Sequence, residues 1–469
     1  MKKRLTKAAA LTAAISVICG VCSSCGNKTA TVDEQGRTII SVADWPQKSG
    51  AELDNMEKLK AEFEAENPDV VIQPDSWTFD LKTFYPKAEA GLLPTVYGTA
   101  FTEVPVLVNS GYPAGLSEAL SKRGYDGKFN EKVLDIISED GEIYAFPWAA
   151  YVLGLAYNTE LFEQAGLMEE DGTPKQPKDW YELAEFAVQI KEKTGKSGFM
   201  FPTANNVGGW MFTALAWSFG TDFMEQDENG GWKATFNTPE CAEALQYIKD
   251  LKWKYDVLPA NTLIDSEEYY KTFSVGNAGM IMAAGDVTDK VVKYDMKPDQ
   301  IGLMGIPAGP KRHVTLLGGS ILCVAAEATD EQKDAAIRWF EKRGYGCNAD
   351  DVSKKSIEDD IKTKLDGGQL IGVKSMSPWN NETEIVSYRN SVIDKYANSN
   401  PNHVRLYNEF VNDSSVEIQP EEPVCTQDLY GVLDNCIQEV LTDENADCAA
   451  ILEKANDDFQ RNYLDNLDY

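Results

Sequence analysis

The chain of 469 residues contains only two histidines, His313 and His403. This scarcity argues against a histidine-based zinc site and against a Ser-His-Asp triad, because both need imidazole side chains. Basic residues are also few, since 44 Lys and Arg face 75 Asp and Glu, which gives a formal net charge of −31. A charge of this sign repels phosphate backbones, so we expect no nucleic-acid partner. We interpret the acidity itself as a solubilising surface.

Long apolar runs are missing beyond Ser24, where none approaches the roughly 20 residues of a membrane-spanning helix. The sequence also has no internal repeat and no low-complexity segment. Its 43% hydrophobic and 10% aromatic content is typical of a folded protein, and its length suits two domains. We expect a monomer that binds no cofactor and no metal.

Three of the nine cysteines, Cys19, Cys22 and Cys25, stand at equal spacing near the N-terminus. A Cys-x-x-Cys-x-x-Cys run can ligate an iron–sulfur cluster, but the fourth cysteine of that pattern is missing. The run ends a segment with a basic start and an apolar stretch, Ala8 to Ile18, that is too short to span a membrane. This order is typical of an export signal.

The end of this segment resembles a bacterial lipobox, whose invariant cysteine receives a diacylglyceryl group. Cys25 takes that place, with Ser23 and Ser24 before it, although Cys22 stands where Leu or Val is usual. A plain secretory signal is therefore the alternative. We predict a signal peptide over 1–24, whose loss changes the formal charge from −31 to −35, and a tether over 25–36. The lipid would be the only attachment to the outer face of the cell membrane, in a Gram-positive bacterium.

Six cysteines remain in the mature chain: Cys241, Cys323, Cys347, Cys425, Cys436 and Cys448. Cys323 lies in the apolar stretch "SILCVAA" and is expected to be a small core residue. An even number in an exported chain permits disulfides, and Cys436 with Cys448 is the candidate pair.

Strand and helix patterns alternate along the chain. "RTIISVADW", "DVVIQPDSW" and "TVYGTAF" have the β-branched and apolar content of buried strands, with helical patterns between them. A second unit of the same kind begins near Trp148. The alternation predicts an α/β fold with mostly parallel sheets. "EQDENGG" has half of a calcium-loop spacing, but Phe236 replaces the bidentate Glu, so we interpret it as a hairpin turn.

Several segments resemble, in order, the family 1 extracellular solute-binding proteins of ABC importers, the group that contains maltodextrin-binding protein. "GEIYAFPWAAYVLGLAYNTELFEQAGL" resembles the family's Tyr-Pro-rich crossing with the strand and helix that follow it. "QPKDWYELAEFA" resembles its Pro-x-Thr-Trp-x-Glu-Leu helix start, with Asp179 for Thr. "GLLPTVYG" resembles its Gly-Thr-x-Pro-Asp-Val turn, with Thr95 for Asp, and "FSVGNAGMIMAAGD" its Phe-x-x-Gly-x-Ala-Ala-Met strand.

The resemblance implies a two-lobed, periplasmic-binding-protein-like fold with a ligand cleft between the lobes and a hinge of crossing strands. By that pattern the first lobe comprises residues 37–148 and 313–370, and the second comprises 149–312 and 371–469. It also implies a non-catalytic receptor that captures a carbohydrate and delivers it to the membrane permease of an ABC transporter.

Polar and aromatic residues gather at the predicted carboxyl ends of strands, where open α/β sheets bind ligands. Sugar rings stack on aromatic side chains, and their hydroxyls bond to polar groups. The candidate ligand-binding residues are Asp44, Trp45, Lys48, Asp75, Trp77, Thr99, Phe101, Glu103, Trp148, Tyr151, Trp210, Asp286, Gly319 and Trp379. So many aromatic platforms point to an oligosaccharide. Four other tryptophans lie in helical stripes and are assigned to the core: Trp180, Trp217, Trp253 and Trp339.

Three other functions stay open at this stage. A secreted glycoside hydrolase would need two carboxyls about 5 Å or about 6.5–9.5 Å apart, and no strand-end pair has that pattern. A receptor for a non-sugar solute, such as a polyamine, would need a cleft dominated by acids. An adhesion or scaffolding lipoprotein would bind no small molecule.

Replacing the predicted lipid-attachment residue tests the anchor. We expect Cys25→Ala to move the protein from the membrane fraction to the medium, because two acyl chains hold a protein firmly at about 0.8 kcal/mol per buried CH₂. Fractionation after a high-salt wash is the measurement. A variant that stays cell-bound in high salt would contradict the lipobox assignment.

Overall fold

The computed structural model describes residues 30–228 and 230–467. The predicted signal peptide, Cys25 and the start of the predicted tether lie outside these residues. Within the two described ranges, no helix is long and apolar enough to cross a membrane. The same ranges form fourteen strands and seventeen α-helices.

The strands are short except for β6 and β13. Their bounds are β1 Thr38–Val42, β2 Val70–Pro74, β3 Val96–Ala100, β4 Ser138–Glu139, β5 Glu142–Ile143, β6 Phe146–Val152, β7 Gly154–Asn158, β8 Ser197–Met200, β9 Met224–Gln226, β10 Trp232–Ala234, β11 Ala278–Ala283, β12 Ile301–Met304, β13 Val314–Val324 and β14 Glu417–Pro420.

The helices alternate with these strands and dominate the C-terminal third. Their bounds are α1 Ala51–Glu66, α2 Leu81–Glu89, α3 Val104–Asn109, α4 Ser117–Lys122, α5 Glu131–Ile137, α6 Thr159–Ala165, α7 Trp180–Thr194, α8 Val207–Phe219, α9 Pro239–Trp253, α10 Ser266–Ser274, α11 Val287–Val291, α12 Asp330–Lys342, α13 Asp351–Asp366, α14 Glu384–Tyr396, α15 Asn402–Phe410, α16 Thr426–Thr442 and α17 Cys448–Asn462.

The larger sheet has the order β14-β13-β3-β1-β2, with β6 also paired to β13. Strand β1 is parallel to β2 and β3, as the sequence predicts, and β13 is parallel to β14 but antiparallel to β3 and β6. Helix α12 packs on β1, α1 and α4. The first three strands therefore end at one edge of the sheet.

The smaller sheet has the order β12-β7-β11-β8. Only β8 and β11 are parallel, whereas β7 is antiparallel to both β11 and β12. The predicted parallel arrangement is thus confirmed for β1, β2 and β3, whereas the strands that cross between the sheets add antiparallel pairs to both. Helix α7 packs on β8 and α15 on β12, while α16 packs against α8, α9 and α17.

The chain passes between the two sheets at several places. The buried residue Leu153 alone separates β6 in the larger sheet from β7 in the smaller one. Residues 305–313 lead from β12 to β13, and residues 421–425 lead from β14 to α16. A single contiguous core of buried residues runs through both sheets, so the lobes share apolar packing at the hinge.

The lobe boundaries implied by the resemblance differ from the contacts in two places. Strand β14 pairs with β13 in the larger sheet, although residues 371–469 were assigned to the second lobe. Trp379, in the same segment, packs against Tyr125, Phe129 and Phe146 beside that sheet. The C-terminal segment therefore passes between the lobes more than once, and the other boundaries stay a prediction.

Local predictions were mostly confirmed. Strands β9 and β10 pair antiparallel, as the predicted hairpin requires. Trp180, Trp217 and Trp339 are fully buried, but Trp253 is 37% exposed at the end of α9, where its indole N–H donates to the Val440 carbonyl at 2.9 Å. All six cysteines of the described chain are free thiols, including Cys436 and Cys448.

Candidate functional site

A stack of side chains begins where β1 ends and runs to β6. Asp44 is an exposed residue with a left-handed backbone of φ 57° after β1, and its carboxyl lies against β3, where a Cβ at Gly98 would be 3.3 Å from Oδ2. Enclosure of this carboxyl raises the pKa of Asp44, against the opposing effects of the Thr78 hydroxyl and the Arg343 charge. The Arg343 guanidinium lies 4.8 Å from the ring centroid of Tyr345, and that ring stacks on Trp148 at 5.3 Å and 25°. One charged group and two aromatic rings thus line a continuous surface.

Trp148 owes its orientation to a β-bulge. In the ladder with β13, Ala149 pairs with Ser320 and Pro147 with Ile321, so Trp148 has no partner. An extra residue in one strand bends it and redirects its side chain. The Trp148 side chain is 40% exposed, which leaves a free aromatic face beside Tyr345.

A second aromatic pair follows three residues along β6. The ring of Tyr151 meets Trp210 edge-on at 6.5 Å and 81°. Both side chains are half-buried, and they come from different parts of the fold, Tyr151 from the crossing strand and Trp210 from the first turn of α8. Three residues of strand cover about 10 Å, which is the spacing of the two aromatic pairs along β6. This spacing corresponds to about one or two sugar residues.

Carboxyl groups surround the second pair. The Tyr430 hydroxyl donates to Glu421 Oε1 at 2.8 Å. Burial raises the pKa of Glu421 to about 7, the Glu103 charge adds to the rise, and the Tyr430 and Trp210 donors oppose it. Glu103 itself is 9% exposed and accepts from the Thr102 hydroxyl at 3.1 Å.

Two further acids complete this acidic side. Burial, helped by the Asp428 charge, raises the pKa of Glu103, and burial alone raises that of Asp428 in the first turn of α16. Asp286, just after β11, forms an ion pair with Lys290 at 3.7 Å. The charges of Glu421 and Asp286 and the neighbouring Tyr270 add to burial in raising the pKa of Tyr151. An acid after β11 and an acid in the connection from β14 to α16 thus both act on the pKa of Tyr151.

We call this group the cleft site. It comprises Asp44, Glu103, Trp148, Tyr151, Trp210, Tyr270, Asp286, Arg343, Tyr345, Glu421 and Asp428. Six of these residues were predicted from sequence, whereas Tyr270, Arg343, Tyr345, Glu421 and Asp428 were missed. Arg343 and Tyr345 follow α12 in "EKRGYG", where the glycines that end a helix were the only clue.

Four predicted ligand contacts lie in the core instead. Trp45 is 3% exposed, stacks on Trp339 at 6.2 Å and donates its indole N–H to Glu57 at 2.9 Å. Trp45 is buried although Asp44 before it is exposed, because the left-handed backbone of Asp44 turns the chain after β1. Trp379 is 5% exposed, because it packs against the rings of Tyr125, Phe129 and Phe146. Phe101 is 2% exposed, and a Cβ at Gly319 would lie 2.2 Å from its ring, so Gly319 makes room for Phe101 and not for a solute.

The side chains of the remaining candidates have partners outside the cleft site, although the Asp44 backbone N–H donates to the Trp77 carbonyl at 2.9 Å. The half-buried Trp77 packs between Phe84 and Tyr97, and its indole N–H donates to Thr83 Oγ1 at 3.1 Å. Asp75 accepts from the Trp77 backbone at 2.8 Å, which is the geometry of a turn. Lys48 is exposed on the loop after β1, and the half-buried Thr99 pairs with Ile321 at the end of β3.

A cavity of about 480 Å³ adjoins the cleft site at Glu421 and lies between α3, α5 and residues 418–423. Its walls are mostly apolar and include Phe101, Leu317 and Glu421, but the stacked aromatic faces of the cleft site are not among them. A sugar needs both ring faces and hydroxyl partners, so the open groove at Trp148 and Tyr151 is the better candidate.

The geometry defines a two-lobed α/β protein in which crossing strands join two sheets. Residues 49–341 match the model of the bacterial extracellular solute-binding protein family. The match covers more than half of the chain, and the chain belongs to this family. The predicted family and the two-lobed fold are thereby confirmed.

Individual relatives agree with this assignment. A Brucella abortus protein named as a binding protein is 27% identical over 282 residues, 59% of this chain and 64% of the relative. The arabinooligosaccharide-binding protein of Halalkalibacterium halodurans is 32% identical over 158 residues, 33% of each chain. The chain therefore spans less than two thirds of the length of these relatives. An ABC substrate-binding protein of Listeria monocytogenes, solved with cycloalternan, has the same fold at TM-score 0.65 and 16% identity, covering 91% of this chain and 99% of that one.

Two tryptophans separate a binding role from a structural role. Trp148→Ala should lower glycan affinity about tenfold or more, since it removes a stacking face, while the apo melting temperature changes little. Trp45→Ala is the matched control, because it leaves a core cavity that costs about 3–5 kcal/mol of stability. Calorimetric titration and thermal melts of both variants are the measurements. Unchanged affinity in Trp148→Ala would remove this residue from the site.

The neighbouring Glu422 predicts a pH dependence of stability. Its carboxyl is 7% exposed, accepts from the Trp217 indole at 3.0 Å, and has its pKa raised by burial from 4.5 to about 7. The folded state favours the protonated carboxyl of Glu422. Its contribution to the free energy of unfolding is therefore fully present below pH 4.5 and is lost as the pH rises through about 7, which lowers that free energy by at most about 3 kcal/mol. Glu422→Gln should flatten this fall in melts between about pH 5 and 8.

The control for this pH dependence lies on β14. Glu417 bonds Arg312, which holds the pKa of Glu417 below its usual range. It is therefore ionised in both states across the same pH window, and Glu417→Gln should leave the slope unchanged. Equal slopes in wild type and Glu422→Gln would contradict the assignment of a protonated, buried Glu422.

Proposed function

We propose that this protein is an extracytoplasmic receptor that captures an oligosaccharide in the cleft site and passes it to the permease of an ABC transporter. The observation that carries the proposal is the pair of aromatic contacts along β6, Tyr345 with Trp148 and Tyr151 with Trp210. Family membership supports an extracellular solute-binding role. The printed ligands of two relatives, arabinooligosaccharide and cycloalternan, support a carbohydrate.

The side chains of the cleft site suit sugar recognition. The free face of Trp148 offers an apolar platform to the C–H face of a ring, and Tyr345 holds that platform from behind. Acids such as Asp44 and Asp286 accept hydrogen bonds from hydroxyls, whereas Arg343 donates. A hydroxyl left without a partner on closure would cost about 1–3 kcal/mol, which is the physical source of specificity.

The site draws on both lobes, and this supports a closing motion. Trp148 belongs to β6 of the larger sheet and Tyr345 follows α12, which packs on that sheet, while Asp286 follows β11 of the smaller sheet. Trp210 lies on α8, which packs against α9 and α16 and also contacts β13. A solute that contacts both groups of residues stabilises the closed arrangement of the lobes, because it makes more contacts there than in the open arrangement. The lipid anchor at Cys25 would keep such a receptor beside its transporter in a cell without an outer membrane. The closing motion and the lipid anchor are both part of the proposal, together with a monomeric state and the absence of catalysis.

One observation favours a second candidate, a cationic solute such as a polyamine. Glu103, Glu421 and Asp428 come together, and none of them is in an ion pair within the described part of the chain. A bound amine would donate hydrogen bonds to these three carboxyls and lie beside the aromatic pair of Tyr151 and Trp210. A sugar hydroxyl donates to the same carboxylates, so the acids alone do not separate the two ligands.

A thermal-shift and calorimetric screen tests the proposal directly. The panel contains arabino-, malto-, xylo- and chito-oligosaccharides, with putrescine and spermidine as the cationic arm. We expect saturable binding of one oligosaccharide series, with affinity rising from the monosaccharide to the longer chains, and no release of reducing sugar. Binding of the polyamines alone would favour the second candidate. Hydrolysis of the tightest-binding glycan would show an enzyme and contradict the receptor.

A further inference from the structure

The N-terminus of α8 is capped by a side chain from another helix. Asp434 of α16 is 5% exposed, and its carboxylate accepts from the backbone N–H of Asn206 at 2.7 Å and of Gly209 at 2.7 Å. The first turn of a helix leaves several N–H groups without partners inside the helix. A residue just before the helix usually supplies the acceptor. Here Asn206 holds that position but makes no cap bond, and the acceptor comes from 228 residues farther along the chain.

The reason that Asn206 does not cap lies in its backbone. Asn205 and Asn206 have φ of 58° and 69°, so the chain enters α8 through two consecutive left-handed residues. The Asn206 side chain points to α16 instead, where its Nδ2 donates to the Gln427 carbonyl at 3.0 Å. The start of α8 is therefore tied to α16 by one carboxylate and one amide.

The two helices also meet backbone to backbone. A Cβ at Gly209 would lie 2.1 Å from the Tyr430 carbonyl oxygen, so no larger residue fits without separating the helices. Tyr430 stands one turn before Asp434 on α16. The carboxylate thus bonds the first turn of α8 at the place where the two backbones touch.

This contact lies directly behind the cleft site. Trp210 follows Gly209 and presents its ring edge-on to Tyr151. Tyr430, on the other helix, holds Glu421 through its hydroxyl at 2.8 Å. Any shift of α8 relative to α16 therefore moves an aromatic side chain relative to an acid of the same site.

We propose that Asp434 is a positioning residue of the cleft site: its carboxylate fixes Trp210 relative to Glu421 without touching the solute. The proposal rests on the function proposed above for the cleft, and it adds a residue that neither the strand ends nor the groove itself identifies. In Asp434→Asn one oxygen becomes an NH₂ group, which faces a backbone N–H and cannot accept from it. The side-chain volume is unchanged.

The matched control is Asp447, which caps α17 by accepting from Ala449 N–H at 3.0 Å and Ala450 N–H at 3.2 Å. It has the same chemistry at a helix that carries no residue of the cleft site. We expect Asp434→Asn to lose about tenfold in affinity for the best oligosaccharide of the screen, and Asp447→Asn less than about twofold.

A readout without ligand separates positioning from binding. The indole N–H resonance of Trp210, assigned through Trp210→Phe, should shift in apo Asp434→Asn and stay in place in Asp447→Asn. If that resonance shifts while the wild type binds no glycan, the proposed function fails and the positioning of Trp210 still stands. If affinity falls while the resonance stays in place, Asp434 acts by another route and the proposal is wrong. A shifted resonance with unchanged affinity also overturns it.

A milder variant covers the case in which Asp434→Asn does not fold. Asn206→Gly keeps the left-handed backbone, which glycine adopts freely, but removes the bond to the Gln427 carbonyl. It should shift the Trp210 resonance in the same way and lower affinity by about threefold. An Asn206→Gly protein with an unshifted resonance and wild-type affinity would contradict a positioning role for this contact.

Discussion

The hydrogen bonding of β13 is the constraint on which the rest of the fold depends. This strand of 11 residues pairs with β14 through its first four residues, with β6 through its middle and with β3 through its end. Because β6 runs into β7 through one buried residue, the direction that β13 imposes on β6 also sets where the smaller sheet begins. The bulge at Trp148 lies within the ladder of β6 and β13. The same strand pairing therefore shapes the groove beside Trp148 and the hinge where β6 leads into β7.

Glu421 and Glu422 show how closely the hinge and the site are joined. They are consecutive residues in the connection from β14 to α16, yet their carboxyls go to different partners, Tyr430 for the first and Trp217 for the second. Burial raises the pKa of each to about 7. One short connection thus carries an acid of the cleft site and an acid bonded to a buried tryptophan of the core.

The sequence predicted the fold well because its signals are local. The alternating apolar strands β1, β2 and β3 and the antiparallel pairing of β9 with β10 each depend on patterns of neighbouring residues, and both were confirmed. The site was predicted less completely. A residue at a strand end can face the groove or the core, and the left-handed backbone of Asp44, which decides this for Trp45, is not visible in the sequence. Arg343 and Tyr345 join the groove only because α12 ends beside β6, which is a tertiary fact.

The central claim is that a sugar binds in the groove between Trp148 and Trp210, where the two lobes meet. A crystal structure with the tightest-binding oligosaccharide of the screen tests it most directly. The account predicts one sugar ring stacked on Trp148, a second ring near Tyr151 and Trp210, and hydroxyls bonded to acids from both lobes. A sugar found in the apolar cavity between α3 and α5, or on the surface of one lobe alone, would contradict it.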